Sequence, residues 1–177
     1  MTAPTLWTER LILRPHGVQD FDDVAALWAD PVVVKYIGST PNSPEQSWAR
    51  LLRYIGHWQA LGYGYWVVCD RDSGAFLGEV GFANYRRAVA PPLPDVSEAG
   101  WVLATQAHGR GIASEAVACI HNWADQTQDW AQTVAIFAPE HAASQQVAAK
   151  QGYQTSGEAT YFGDRILIMS RQKTAAL

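Results

Sequence analysis

Cysteine is nearly absent: the 177-residue sequence holds only Cys69 and Cys119, about 50 residues apart and in no CxxC pair. That spacing excludes a disulfide framework and a cysteine-rich zinc site, and both read as reduced, buried thiols. The five histidines, His16, His57, His108, His121 and His141, form no HxH or HExxH pattern, so no metal is expected. Positive charge is scarce as well. Thirteen Lys and Arg against seventeen Asp and Glu give a net charge of −4, which provides no basic field for nucleic acid. No apolar run approaches the roughly 20 residues that cross a bilayer. The opening "MTAPTLWTERL" has neither the basic segment nor the apolar segment of a signal peptide, so a cytoplasmic protein with no membrane partner is expected. There is no internal repeat, no low-complexity tract and no GxxxxGK[ST] phosphate loop.

What is present is an ordinary globular composition, 48% hydrophobic and 17% charged. A chain this long buries about 70% of its unfolded surface as one domain, here taken over residues 1–177. "ERLILRP" (9–15) alternates as an opening strand. "QDFDDVAALWAD" follows with helical spacing, and Pro31 is expected to stop it. "SPEQSWARLLRYIGHWQALG" is a second helix with Ser43 as N-cap, Pro44 at its first position and Gly62 after its end. Its apolar face is read as Trp48, Leu51, Leu52, Ile55 and Trp58 or Gln59. A hairpin (65–70 and 76–85) turns at "DRDSG", a Pro-rich loop covers 86–96, and "SEAGWVLA" is a strand. A helix over 110–126, a strand over 132–137, a short helix closed by Gly152 and two strands (153–161 and 165–171) complete the order. Residues 172–177 are expected to fray. The order β-α-α-β-β-β-α-β-α-β-β predicts an α/β layer fold: a mixed sheet, one parallel strand–helix–strand unit, and helices on both faces.

"QAHGRGIASEA", residues 106–116, raises the sharpest question. Gly109 and Gly111 are poor helix formers standing where a helix is about to start. A tight turn with its own backbone needs is one answer. An anion site is another, since free N–H groups and the dipole of a helix start attract negative charge. The dinucleotide pattern GxGxxG fits poorly: Ser114 holds the third place, no acid ends a strand about 20 residues on, and the nearest candidate, Glu140, lies about 30 residues away. The remaining pattern is Q-x-x-G-x-G, formed by Gln106, Gly109 and Gly111.

That pattern resembles the acyl-CoA signature of the GNAT superfamily of N-acyltransferases. "TERLILRP", "LGEVGF", "SEAGWVLATQAHGRGIASEA" and "PEHAASQQVAAKQGY" together resemble its RimJ/RimL-type branch, nearly to residue 171. The resemblance implies a GNAT fold with a mostly antiparallel sheet of about seven strands and a splayed parallel pair, 97–104 and 132–137. It also implies acetyl-CoA as cosubstrate, a primary amine as acceptor, no metal, and compatibility with a homodimer. The pyrophosphate would lie on Gln106 to Ser114, with His108, Gly109, Arg110, Gly111, Ile112 and Ala113 contributing. A backbone group near Leu103 would bond the pantetheine or polarise the thioester carbonyl.

Acyl transfer needs a proton acceptor for the amine, a stabilised oxyanion and a departing thiolate. Glu98 matches an acidic strand position of the branch and is the first candidate base; the alternative is a solvated or salt-bridged acid. Glu79 is the second, against a solvent-facing acid. Ser144 matches a serine near the sulfur, against a helix cap. His141 stands where the branch carries asparagine on the pantetheine, and Ala148 where many relatives carry a tyrosine acid. A thiol pKa of about 8.5 makes an unassisted thiolate a tolerable leaving group. Tyr36 and Tyr63, in loop-like sequence, are candidate walls of the acceptor cleft, whereas Trp28 and Trp58 read as core. Neither cysteine has the setting of an activated nucleophile, so direct attack in a ternary complex is expected. A non-catalytic acyl-CoA-binding module and a nucleotide-binding regulator are the alternatives.

Overall fold

The structure is a computed structural model that describes residues 3–38 and 40–173. In chain order its elements are β1 (Leu6–Trp7), β2 (Leu11–Pro15), α1 (Phe21–Ala29), α2 (Pro31–Val34), α3 (Pro44–Leu61), β3 (Tyr65–Asp70) and β4 (Phe76–Ala83). They continue with β5 (Ser97–Leu103), α4 (Ile112–Thr127), β6 (Gln132–Phe137), α5 (Ala142–Lys150), β7 (Gln154–Tyr161) and β8 (Asp164–Gln172). One sheet runs β1-β2-β3-β4-β5-β6-β8-β7. Every neighbouring pair is antiparallel except β5 and β6.

The sheet has eight strands rather than about seven. The additional one, β1, is two residues long and too short for alternation to reveal. It turns back onto β2 because the Thr8 hydroxyl accepts the Leu11 N–H at 2.9 Å, which also moves the start of the expected opening strand from residue 9 to Leu11. Pro31 does not simply stop α1. Asp30 leaves the helix, its carboxylate accepts the Val32 N–H at 2.8 Å, and Pro31 becomes the first residue of α2, a position where its missing N–H is no loss.

Helix α3 begins and ends at the expected residues, with a reciprocal Ser43–Gln46 capping box and Gly62 at φ 74°. Its buried face, however, is Ser47, Leu51, Tyr54 and Trp58, while Trp48 and Leu52 are exposed. The rotation follows from aromatic packing. Tyr54 stacks on Tyr65 at 4.4 Å with only 7° between the rings, and Trp48 instead meets Phe21 edge-on. At the other end of the chain, Gln172 belongs to β8 and Lys173 is tied to Ala131 and Gln128. The expected fraying therefore does not begin at 172; residues 174–177 lie outside the described residues.

Helices pack on both faces. Under α4, Trp66, Val80, Phe82, Ala116, Val117 and Ile120 form one core, joined edge to face by Trp58, Trp66 and Trp123. On the opposite face Val24, Leu27, Leu51 and Val102 form another. A buried polar chain crosses the first core. His121 Nδ1 donates to the Val117 carbonyl at 2.8 Å, so Nε2 is left to accept from the Tyr153 hydroxyl at 2.8 Å. Thr133 on β6 completes the chain by bonding Tyr153 at 2.7 Å. Each member thereby satisfies a group that burial would otherwise leave without water.

Candidate functional site

Strand β5 runs out at Leu103 into a 3-10 turn, Thr105–Ala107, and then into the glycines. Gly109 and Gly111 have φ 70° and 76°, a left-handed backbone that L side chains rarely adopt. A Cβ on Gly109 would meet no protein atom within 4 Å, and one on Gly111 only the Arg10 guanidinium at 3.5 Å. Handedness fixes these glycines, and their outer side is open. Gly111 is the N-cap of α4 and brings no side-chain acceptor, while its carbonyl takes the Glu115 N–H. The N–H groups of Ile112, Ala113 and Ser114 precede that bond and stand at the positive end of a 16-residue helix. The Ile112 side chain is buried in the core, so only its backbone can serve a ligand.

The turn is braced from behind. Arg10 bonds Glu115 at 2.7 Å and the Arg110 carbonyl at 2.9 Å, and the Thr8 hydroxyl also reaches Glu115. Gln106 lies on the surface with its amide toward the Phe76 carbonyl, and its own carbonyl accepts from Arg110. His108 Nε2 donates to the Leu103 carbonyl at 2.9 Å, and the next amide, Ala104, is committed to Leu77. The Leu103 carbonyl is therefore already engaged within the chain.

The parallel pair is short. β5 and β6 match only at Ser97–Thr133 and Glu98–Val134. Beyond them Ala99–Leu103 and Ala135–Phe137 part, which leaves two facing strand edges without ladder bonds between them. His141 and Ser144 stand past the end of β6. Ser144 is the third residue of α5 rather than its cap, and its Oγ lies 3.2 Å from His141 Nε2. Tyr36 stacks on the His141 ring at 4.7 Å and 20°. Burial lowers the His141 pKa, and the nearby His108 charge lowers it further. Four of the expected residues, Tyr36, His108, His141 and Ser144, are thus brought together at the open end of the splay.

The two acids behave differently. Glu98 is held by Arg87 through Nε at 2.7 Å and Nη2 at 2.8 Å; this is the salt-bridged alternative named above. Burial opposes the Arg87 charge, but the Glu98 bonds outweigh it and raise the guanidinium pKa. Glu79 is fully buried rather than solvent-facing. Its oxygens take the Trp28 indole N–H at 2.8 Å and His16 Nε2 at 2.9 Å. Tyr63 also lies elsewhere: it packs edge-on against Trp130 at 4.8 Å, beside the core under α4, and not with Tyr36. Cys69 and Cys119 have raised pKa values, burial being the first cause for each, so neither thiol is activated. Among the described residues no cluster of three or more metal-ligating side chains forms, and no helix is long and apolar enough to cross a membrane.

Comparison with known proteins decides the family. Residues 10–154 match the model of the acetyltransferase (GNAT) domain. The chain belongs to the GNAT acetyltransferases. It is 25% identical over 154 residues to the uncharacterized N-acetyltransferase p20 of Bacillus licheniformis, covering 86% of this chain and 84% of that protein. A structure described as a GnaT-family acetyltransferase of Bordetella pertussis superposes with a TM-score of 0.84 at 28% identity, over 96% of this chain and 99% of that one. RimL, the ribosomal L7/L12 alpha-N-protein acetyltransferase solved with coenzyme A, superposes at 0.76 over 98% and 100% of the chains. Its 16% identity makes that a likeness of fold.

Within this GNAT site, pattern reading missed a second layer of residues. Arg87 sits in the Pro-rich loop, where nothing in the local sequence announces its partner. Tyr65 lies across β4 because Gly81 has no side chain, and its hydroxyl stands where a Cβ on Gly100 would be. Burial raises the pKa of both the Tyr65 and the Tyr85 hydroxyl. The signal was available in the glycines of "EVGF" and "EAGW": two small residues that face each other across β4 and β5 leave room for one flat ring.

Proposed function

We propose that this chain is an N-acetyltransferase of the RimJ/RimL-type branch, one domain over residues 1–177, that acetylates a primary amine by direct attack within a ternary complex. One observation carries the reading. A glycine turn and an uncapped helix start stand at the carboxyl end of a strand whose parallel partner leaves it after two residues. The open side of the left-handed glycines fits a pyrophosphate, and the parted edges fit an extended amide chain. Acetyl-CoA supplies the activated thioester carbonyl.

The chain's own residues then divide the work. Backbone N–H groups from His108 to Ser114 hold the phosphates, with Gln106 and Arg110 at their flank. The edges of Ala99–Leu103 and Ala135–Phe137 align the pantetheine. His141 and Ser144 stand at the sulfur end, where a neutral imidazole and a hydroxyl each offer a hydrogen bond. The amine nitrogen attacks the carbonyl carbon, the C–S bond breaks, the sulfur leaves as thiolate and the ammonium proton departs. Glu98 is the proposed recipient through a water, because each carboxylate oxygen on Arg87 keeps a second lone pair. Alignment of amine and thioester supplies much of the acceleration. Amine-dependent release of free thiol from acetyl-CoA tests the reading, over small amines and peptides with free amino ends. The expected result is one thiol per acetylated amine by mass. No amine-dependent release across the panel overturns it.

A further inference from the structure

Strands β4 and β5 are antiparallel neighbours, with Ala83 opposite Glu98, and a turn of a few residues would join them. The chain inserts residues 84–96 instead, and that segment leaves its own two strands. Ala90 pairs with Thr160 on β7, its N–H donating to the Thr160 carbonyl at 3.0 Å and its carbonyl accepting the Thr160 N–H at 2.8 Å. Strand β7 is the far edge of the sheet, beyond β6 and β8. Val89 and Leu93 share an apolar cluster with Ile136 of β6, Ile166 of β8 and Ala159 of β7. The segment therefore lies against all three strands on the far side of the splay, and covers a sheet edge there.

One side chain of that segment makes the crossing chemically specific. Arg87 directs Nε and Nη2 to the Glu98 carboxylate, and its Nη1 donates to the Tyr161 hydroxyl of β7 at 3.1 Å. The guanidinium also lies over the Tyr85 ring at 4.3 Å and the Tyr161 ring at 5.2 Å. Its fork is planar and rigid, so a third anchored nitrogen fixes the plane that two bonds to one carboxylate leave free to swing. Glu98 stands at the last matched pair of β5 and β6, opposite Val134. Beside it is a cavity of about 140 Å³, lined by Glu98, Arg87, Asp95 and Val134, with room for several waters. The carboxylate is thus held by Arg87 and borders a space that admits water.

We propose that Tyr161 is a positioning residue of the acetyl transfer, fixing the Glu98 carboxylate through Arg87 from the far side of the splay. The inference rests on the reading of Glu98 as proton recipient given above. The 84–96 segment carries the link: it brings Arg87 to Glu98 and is itself fastened to β7 at Thr160, next to Tyr161. Tyr161 acts only by way of the guanidinium. Without its hydroxyl, Arg87 keeps two bonds to Glu98 but loses its fixed plane, and the carboxylate loses its aim at the water.

Tyr161→Phe tests this, since it removes the hydroxyl and keeps the ring. It should lower kcat by about tenfold, the scale of one hydrogen bond to a charged group, with the KM for acetyl-CoA unchanged. The defect should shrink at high pH, as expected of a group that acts through a base. In a Glu98→Gln background the same substitution should cost nothing further, because residues that share one network are non-additive. Arg165→Ala, which breaks an exposed ion pair on the same hairpin, should keep the parental rate. An unchanged rate in Tyr161→Phe, an undiminished loss in the Glu98→Gln background, or an equal loss in Arg165→Ala overturns the inference. The carboxyl carbon resonance of Glu98 reads the link without turnover and should move in Tyr161→Phe. If Glu98→Gln keeps the parental rate, the base reading falls by itself. A Glu98 resonance that moves in Tyr161→Phe then still supports the link to the carboxylate, and one that stays overturns it.

Discussion

Mild acid should loosen this protein through a single buried imidazole. His121 is almost inaccessible to water, and burial lowers its pKa from 6.5 to about 4, against a smaller opposing effect of the Val117 carbonyl. Its Nε2 must stay unprotonated to accept from Tyr153. The folded state therefore binds fewer protons than the unfolded chain between pH 6.5 and 4, and stability falls as pH falls through that window. At about 1.4 kcal/mol for each pH unit, about 2 kcal/mol is lost by pH 5 and about 3 kcal/mol by pH 4. Above pH 7 the contribution is complete. The carboxylates with lowered pKa values, such as Asp20, Asp125 and Glu115, lose their contribution mainly below about pH 5, so the range from pH 5 to 6.5 isolates the histidines. His141, also lowered, contributes with the same sign and is removed by working in a His141→Asn background. Urea unfolding at half-unit pH steps is the assay. His121→Gln should be less stable at pH 7 yet flat between pH 6.5 and 5. Equal slopes with and without His121 would refute the reasoning.

Three further outcomes follow from the geometry. Gly111→Val places a β-branched residue at φ 76°, which costs about 1–2 kcal/mol of stability, and should abolish the rise in melting temperature that acetyl-CoA gives the parent; a retained rise in a folded variant contradicts the phosphate role of the turn. Glu98→Gln weakens a bidentate pair and should lower melting temperature as well as rate, the latter by about 100-fold, with the rate defect shrinking at high pH; a rate loss constant with pH would mark Glu98 as a positioning residue. Gly100→Ala sets a methyl against the Tyr65 hydroxyl and should destabilise by about 1–3 kcal/mol, with Tyr65→Phe restoring much of the loss; no rescue in the unfolding cycle would contradict the packing.

The sequence made the ends of α3 readable because the signals there are local: Ser43, Pro44 and Gly62 each act within four residues. The same was true of the glycine turn, where two left-handed positions and a helix start lie in one short segment. The face of α3 was not readable, since Trp48 and Tyr54 are both aromatic and only the distant Tyr65 decides which is buried. Strand β1 escaped for want of length. At the site, Tyr36 and His141 could each be named but not joined, because they lie about 100 residues apart and meet across the splay. Glu98 was visible as an acid on the right strand, yet its state depends on Arg87 from a loop without periodicity. Tyr63 was placed by its loop-like surroundings, and Trp130, far along the chain, claims it.

The two-residue match between β5 and β6 makes the sheet, in mechanical terms, two panels joined by a stitch. One panel is the five antiparallel strands up to β5; the other is β6 with β8 and β7. Each panel is laced along its whole length, whereas the seam holds only at Ser97–Thr133 and Glu98–Val134. Thr133 is also where the His121–Tyr153 chain is fastened, so the stitch is anchored in the core rather than at the rim. The backbone amides that point into the open seam should exchange with solvent sooner than those bonded inside either panel. A molecule that spans the gap with its own amides acts as the missing thread, and slower exchange at Ala99–Leu103 and Ala135–Phe137 is the mark it leaves.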